Sequence, residues 1–233
     1  MIGILHHLGL GDNIMLNGLV RHYAETYQVV VFILQNQKDS IEFMYKDLKN
    51  VSCFILRSNI HSEFINDIKI PILRLATYGI DESSWKQLTQ TNLSTWAHLP
   101  YFQARVNPEY MRTKFYVDRN LEREENLFEQ LGLKNKEYIF VHTDSRHKDH
   151  IVETEYFIFS PNNSVEPFNI FDYLKILENA KEIHCMNSGW VWLVELMKIG
   201  SNKTNFLKCL LAHTHYSPEV IKMAFTESIW TFV

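Results

Sequence analysis

The sequence predicts an α/β protein with two parallel β-sheets, and three observations support this class. The chain opens on a short apolar segment, followed by a glycine-containing turn and a helical pattern. β-Branched and aromatic runs then alternate with helical patterns through the first half. This alternation stops over residues 81–120 and resumes in the second half. Because strands that alternate with helices are typical of parallel sheets, the interruption divides the chain into two α/β halves.

The composition is that of a globular protein and argues against several other classes. The 233 residues are 46% hydrophobic and 21% charged, which permits one large domain or two small ones. A net charge of −4 argues against a nucleic-acid partner, since nucleic acids bind basic surfaces. No apolar run reaches the ~18 residues of a membrane span, and the N-terminus lacks the basic region of a signal peptide. Peripheral contact with a membrane stays open.

The three cysteines form no Cys-x-x-Cys pair. An odd number of unpaired cysteines is typical of a cytoplasmic protein with reduced thiols. We expect Cys53 and Cys185 to be buried, because each lies in an apolar run.

The first half contains four predicted strands. Residues 1–5 form a short apolar strand, Gly9 to Asp12 form a turn, and a helical pattern continues to Tyr23. The β-branched run at residues 29–34 predicts a buried parallel strand. The segments "SIEFMYKDL" and "VSCFILR" then predict a helix and a strand, and "SEFINDI" and "IPILRLA" repeat this pair more weakly.

The middle of the chain breaks the pattern before it returns. The aromatic-rich stretch "SSWKQLTQTNLSTWAHLPYFQARV" predicts helix, and "NPEYMRTKFYVDRN" is interpreted as a connector. A helix follows over "LEREENLFEQLGL", with Gly132 near its end. Strands are then predicted at "EYIFVH", "EYFIFS", "EIHCM" and "KTNFLKCLLA". A loop and then a helix are predicted over "PNNSVEPFNIFDYLKILENA", a helix over "WVWLVELMKIG", and a helix or loop at the end of the chain.

We therefore predict two Rossmann-like domains, residues 1–115 and 116–233, that face a cleft. Ligands of such sheets bind at the carboxyl ends of the strands. Three polar loops lie there, at residues 6–13, 142–150 and 186–189.

The first loop does not fit the common nucleotide motifs. Gly9-x-Gly11 is half of a dinucleotide fingerprint, but Ile14 stands at the third glycine and no acid follows the second strand. No Lys-Ser/Thr pair follows, which argues against a P-loop. Asp12 is either a helix N-cap or a general base for an acceptor hydroxyl. Of His6 and His7, we expect one to pack inward and the other to line the cleft.

The two later loops favour an anion. Arg146 or Lys148 is a candidate to neutralise a diphosphate, although a solvated loop explains them equally well. Asn187 and Ser188 are residue types that cap helices, and Gly189 permits a ligand to approach the backbone, so this is an anion site or a plain turn. Of Trp190 and Trp192, one is expected in the core. The sequence has no Asp-x-Asp pair, and we expect no metal site.

These motifs resemble a known family. "LGLGDNIMLNGLVRHY" resembles the N-terminal Gly-Asp motif of the heptosyltransferase-like glycosyltransferases, which have the GT-B fold. "CMNSGWVWLVELM" is similar to their D-[ST]-G-x-x-H-L-A turn and helix, and "FVHTDSRHK" occupies the place of their strand and basic loop. The pattern H-H-x-G-L-G-D-x-I-x-x-N-G-L-V-R is most similar to a group of uncharacterised bacterial and phage proteins related to that family.

The resemblance implies roles for particular residues. Asp12 matches the catalytic base, Lys148 or else Arg146 the phosphate-binding cation, and Ser188 with Gly189 the donor-phosphate turn. Asn187 stands where the family has Asp, and Trp192 stands at or near its His. The substrate-binding residues that we expect are His7, Gly9, Gly11, Asn13, Arg146, Lys148, Asn187, Ser188 and Gly189.

The implied function is a metal-independent glycosyltransferase of polysaccharide biosynthesis. It would move a sugar from a nucleotide-diphosphate sugar to a surface glycan or glycan precursor, with no further cofactor. The N-terminal domain would bind the acceptor and the C-terminal domain the donor. Two alternatives stay open: a nucleotide-sugar epimerase or hydrolase of the same fold, and a non-catalytic protein that binds a nucleotide or a glycan.

Overall fold

A computed structural model describes residues 1–6, 8–56, 68–75, 97–143, 152–161, 165–201, 206–210 and 225–232. The chain divides into two compact units, Met1–Asp118 and Arg119–Val233. Each unit contains one parallel sheet, which confirms the α/β class with two parallel-strand sheets. The predicted cleft between two domains stays a prediction.

Among the residues that the structure describes, the sheet of the first unit has four parallel strands. They are β1 (Ile2–Leu5), β2 (Val29–Leu34), β3 (Val51–Leu56) and β4 (Ile72–Arg74). Their order across the sheet is β3-β2-β1-β4. The two central strands supply the core, in which Ile4, Phe32 and Ile33 have no exposed surface. Central position explains the continuous apolar run of β2, because a central parallel strand is covered on both faces.

The helices of the first unit differ from the predicted pattern in two places: the helix after the first turn is divided, and the stretch interpreted as a connector contains a helix. The helix predicted at "SEFINDI" lies almost wholly outside the described residues, as do residues 83–96 of the aromatic-rich stretch. The helices are α1 (Leu10–Met15), α2 (Asn17–Ala24), α3 (Lys38–Met44), α4 (Leu99–Gln103) and α5 (Tyr110–Thr113), with a 3-10 turn at Gln35–Gln37. The single helix predicted after the first turn is divided at Leu16. The buried Tyr101 hydroxyl enters the helix there: it donates to Met15 O at 2.7 Å and accepts from Leu19 N–H at 3.2 Å. A polar group inserted into the helical hydrogen bonds is a known cause of such breaks.

The stretch interpreted as a connector packs against α2. Asn17 donates from Nδ2 to Tyr116 O at 3.1 Å and accepts from Tyr116 N–H at 3.0 Å. A Cβ atom on Gly18 would lie 1.8 Å from Tyr110 O, so only glycine permits this approach. Arg21 binds Asp47 through two hydrogen bonds and also donates to Tyr116 O. The Asn-Gly-Leu-Val-Arg part of the opening motif therefore anchors the end of the first unit.

Within the described ranges, the sheet of the second unit has five parallel strands. They are β5 (Tyr138–His142), β6 (Phe157–Phe159), β7 (Ile183–Met186), β8 (Leu207–Leu210) and β9 (Trp230–Phe232), in the order β6-β5-β7-β8-β9. The last strand was not predicted, since we expected a terminal helix or loop. Its three residues are too few to show a periodic pattern, and it is held by Trp230, whose Nε1–H donates to the buried Glu195 at 2.8 Å.

One helix of the second unit ends at its predicted glycine and another ends earlier than predicted. The helices are α6 (Leu121–Gln130), α7 (Leu174–Asn179) and α8 (Gly189–Leu196), with a 3-10 turn at Ile170–Tyr173. Gly132 follows the C-cap of α6 with a φ of 64°, in the left-handed region that glycine adopts without strain. The prediction that Gly200 ends α8 was wrong, because the left-handed residue after the C-cap of this helix is Lys198, with a φ of 57°. The bond from Ile199 N–H to Val194 O, at 3.0 Å, closes the helix there. Within the described part of the chain, no helix combines the length and apolar character that a membrane crossing requires.

The cysteines differ in exposure. Cys185 is buried as expected and Cys209 is buried with it, whereas Cys53 is only partly buried because β3 lies at the edge of its sheet. Burial raises the pKa of the Cys209 thiol to about 12 and that of Cys53 to about 11. These thiols are therefore protonated at neutral pH.

Candidate functional site

The strand order of each unit marks one point where a ligand is expected. In the first sheet the chain runs from β1 outward to β3 and then returns to place β4 on the other side of β1. In the second sheet β6 lies on one side of β5, and β7, β8 and β9 follow on the other. Crevices form at the carboxyl ends of strands where the order reverses. The loop after β1 and the turn after β7 both lie at such switch points.

The loop after β1 differs in detail from the predicted turn. Leu8, and neither glycine, adopts the left-handed conformation, with φ of 67°. Gly9 is the N-cap of α1 in an extended conformation, and Gly11 lies within the first turn of the helix. The glycines thus start the helix and do not make the turn.

Asp12 lies at the third position of α1 and is partly exposed. The alternative that Asp12 caps the helix was wrong, because Gly9 holds that position and no side chain caps this end. A carboxylate in the first turn is favoured by the partial positive charge of the helix N-terminus.

The neighbours of Asp12 are buried. His6 is 2% exposed and Asn13 is 1% exposed, and His6 Nε2 lies 3.0 Å from Asn13 Oδ1. His6 is therefore a histidine that packs inward, while His7 lies outside the described residues. The Asn13 amide also donates to Gly9 O at 3.0 Å and to Gln37 Oε1 at 3.2 Å.

The turn after β7 has the form that the sequence predicts. Ser188 is the N-cap of α8, and its Oγ accepts from Trp190 N–H at 3.3 Å. Gly189 is the first helical residue, and Asn187 precedes the cap. All four residues from Asn187 to Trp190 are partly exposed. Such a helix start directs backbone N–H groups outward, where an anion can accept hydrogen bonds.

One residue of the site, His142 at the end of β5, had no individual role predicted from the sequence. His142 is the last residue of β5 and pairs in register with Cys185 of β7. Its Nδ1 lies 3.2 Å from Ser188 Oγ, so the two switch-point strands meet through these side chains. Its position as the last residue of a strand was the signal that could have identified it. Arg146 and Lys148, in the loop that follows, lie outside the described residues.

Aromatic rings flank the turn. Trp190 is partly exposed, and its ring centroid lies 5.2 Å from Phe140, 5.3 Å from Tyr173 and 6.0 Å from His142. Trp192 is instead 1% exposed and packs in the core. The prediction that one of the two tryptophans is a core residue is confirmed. The other, Trp190, is partly exposed beside a candidate anion site.

Groups of three or more metal-ligating side chains are not found among the residues that the structure describes. Polar residues lie at the switch point of each unit: Asp12 in the first unit, and Ser188 and His142 in the second.

The comparisons with known proteins support the fold. No protein-family model matches the chain. No curated protein matches it in sequence. A solved structure that is similar to it is that of the glycosyl transferase family 9 protein from Veillonella parvula DSM 2008, with a TM-score of 0.54. The comparison covers 99% of this chain and 86% of that chain at 11% sequence identity. The chain shares the fold of that glycosyltransferase.

Proposed function

We propose that this chain is a metal-independent glycosyltransferase that transfers a sugar from a nucleotide-diphosphate sugar to a surface glycan or glycan precursor. The observation that carries the proposal is the fold shared with a family 9 glycosyltransferase over nearly the whole chain. The polar turns at both switch points add support, because each lies where α/β sheets bind ligands. The motifs of the sequence also resemble those of heptosyltransferase-like glycosyltransferases.

The donor is assigned to the C-terminal domain, residues 116–233. The turn at Asn187, Ser188 and Gly189 would bind the diphosphate through the N–H groups that begin α8. Arg146 or Lys148 would neutralise the charge that develops on the leaving group. Trp190, a partly exposed aromatic residue beside this turn, would stack on a nucleotide base or sugar.

The acceptor is assigned to the N-terminal domain, residues 1–115. The acceptor hydroxyl would attack the anomeric carbon and give its proton to the Asp12 carboxylate as the bond to the diphosphate breaks. His7, Gly9 and Gly11 would contact the acceptor around this residue. Asp12 suits the role, since it is partly exposed on the first turn of α1 at the switch point.

The first test is a thermal-shift screen of nucleoside diphosphates and nucleotide sugars. A ligand present at a hundredfold its Kd adds about 2.7 kcal/mol to stability, which is a readable shift. A shift that is selective for one nucleotide and persists in EDTA supports the proposal and identifies the donor to test. A shift that requires a divalent ion contradicts metal independence, and no shift with any nucleotide contradicts the donor site.

The second test measures turnover of that donor by wild type and Asp12→Asn, with and without glycan acceptors. We expect turnover only with an acceptor, and its loss in Asp12→Asn with unchanged donor binding. Consumption of donor without acceptor would indicate the epimerase or hydrolase alternative. Binding without turnover would indicate a non-catalytic protein.

A further inference from the structure

A closed ring of hydrogen bonds surrounds the left-handed residue of the β1 loop. Leu8 N–H donates to His6 Nδ1 at 3.1 Å, and His6 Nε2 lies 3.0 Å from Asn13 Oδ1. Asn13 Nδ2 donates to Gln37 Oε1 at 3.2 Å, and Gln37 Nε2 donates to Leu8 O at 2.6 Å. The ring therefore begins at the N–H of Leu8 and ends at its carbonyl.

In each hydrogen bond of the ring, only one of the two partners can be the donor. A backbone N–H can only donate, so His6 Nδ1 accepts and the imidazole is neutral with its proton on Nε2. Nε2–H then donates to Asn13 Oδ1, which orients the Asn13 amide, and that amide orients the amide of Gln37. The four bonds thus specify one tautomer and two amide orientations.

The ring is shielded from water. His6, Asn13 and Gln37 are 2%, 1% and 7% exposed. Buried polar groups with all partners in place specify one arrangement, because each alternative leaves a group without a hydrogen bond. Leu8 needs this support, since residues with a Cβ atom disfavour positive φ.

Hydrogen bonds of Asn13, a member of the ring, also fix the backbone around Asp12. Gly9, the N-cap of α1, accepts through its carbonyl from the backbone N–H of Asn13 at 3.1 Å and from its side-chain amide at 3.0 Å. Asn13 directly follows Asp12. Both hydrogens of the Asn13 amide and its oxygen are used by His6, Gly9 and Gln37, so this side chain already has a full set of partners.

We propose that His6, Asn13 and Gln37 are positioning residues that lock the β1 loop and so fix the Asp12 carboxylate for proton transfer. This inference rests on the proposed function for the role of Asp12, and it gives Asn13 a positioning role in place of substrate contact. Gln37 is the distant member, because it follows β2 and reaches the loop from a neighbouring strand. A base displaced by about 1 Å can lose about a hundredfold in rate, so the lock has a measurable effect on turnover.

The test compares Gln37→Glu and Gln37→Met with the control Gln35→Glu. An ionised glutamate at position 37 accepts from Asn13 but cannot donate to Leu8 O, and methionine has no donor and only a weak sulfur acceptor. Gln35 lies in the same 3-10 turn with an exposed side chain, so its substitution alters charge without touching the ring. Two readouts are independent of activity: amide hydrogen exchange at Leu8 and Asn13, and the ¹⁵N spectrum of the His6 ring.

In wild type we expect protected amides and a single His6 tautomer with its proton on Nε2. Both Gln37 variants should exchange these amides at least about tenfold faster, while the amide of Val31 in β2 stays protected. Their kcat should fall about a hundredfold with the KM for the donor within about twofold, and Gln35→Glu should match wild type.

The outcomes separate this inference from the proposed function. Faster exchange with unchanged kcat overturns the positioning role, and unchanged exchange overturns the lock. If wild type turns over no nucleotide sugar, the proposed function and the positioning role of the ring are both contradicted. Amide exchange at Leu8 and Asn13 then still tests whether the ring fixes the β1 loop. If the variants do not fold, the wild-type spectrum decides, because a charged His6 or a mixture of tautomers overturns the ring.

Discussion

Replacing Gly18 with alanine should destabilise the first unit, although alanine is the better helix former. The added Cβ would lie 1.8 Å from Tyr110 O and 2.7 Å from Tyr110 C. Carbon and oxygen atoms approach to about 3.3 Å, so the backbone at Tyr110 would retreat by about 1.5 Å. Overpacking costs about 1–3 kcal/mol, and each bond lost between Asn17 and Tyr116 costs about 1 kcal/mol. Alanine returns about 1 kcal/mol of helix propensity, so we expect a net loss of about 3 kcal/mol.

Calorimetric melting measures this loss. For a chain of this size, about 3 kcal/mol lowers the Tm by about 6–12 °C. The control is Gly132→Ala, which adds the same atom where no heavy atom lies within 4 Å. Gly132 has a φ of 64°, so its variant should lose about 1 kcal/mol from backbone conformation alone. A Gly18→Ala variant as stable as wild type, or more stable, would refute the packing argument.

Three further predictions concern polar side chains with specific hydrogen-bond partners. Tyr101→Phe removes the hydroxyl at the break in the first helix and should cost about 1–3 kcal/mol in urea unfolding. The Glu195 carboxylate accepts hydrogen bonds from Glu227 N–H and from Trp230 Nε1–H. Glu195→Gln should cost a similar amount, because one of these two donors would then face the NH₂ group of glutamine. Equal stability of either variant and wild type would contradict these assignments. The pKa of Asp47 is lowered by hydrogen bonds from Arg21, so Asp47→Asn should destabilise the protein at pH 7. This difference should close as pH falls from about 4 through the lowered pKa, and a difference that persists in acid would contradict it.

Local patterns predicted most strands and helices because their periods are visible within a short window. The buried strand at Val29–Leu34 has the predicted bounds, since every residue of the run is β-branched or apolar. Gly132 after α6 was equally visible, because a left-handed C-terminal residue is a local requirement, whereas α8 ends earlier than predicted, with Lys198 in this conformation. The position of the loops at strand ends followed from the alternation of elements alone.

Interactions between distant residues explain what could not be predicted. The first helix breaks at Leu16 because of a tyrosine that lies 86 positions away from Met15. Leu8 adopts a conformation typical of glycine because Gln37, from beyond β2, donates to its carbonyl while His6 accepts from its N–H. The proximity of His142 to Ser188 depends on the pairing of β5 with β7, which no single segment encodes.

We expect a nucleoside diphosphate to bind at the turn after β7. Isothermal titration calorimetry of nucleoside diphosphates against wild type, Ser188→Ala and Asp12→Asn tests it most directly. We expect one nucleotide to bind wild type and Asp12→Asn equally, and Ser188→Ala about tenfold more weakly, since loss of one hydrogen bond and a helix cap costs about 1.4 kcal/mol. Equal binding by Ser188→Ala would place the nucleotide elsewhere, and no binding by wild type would contradict the claim.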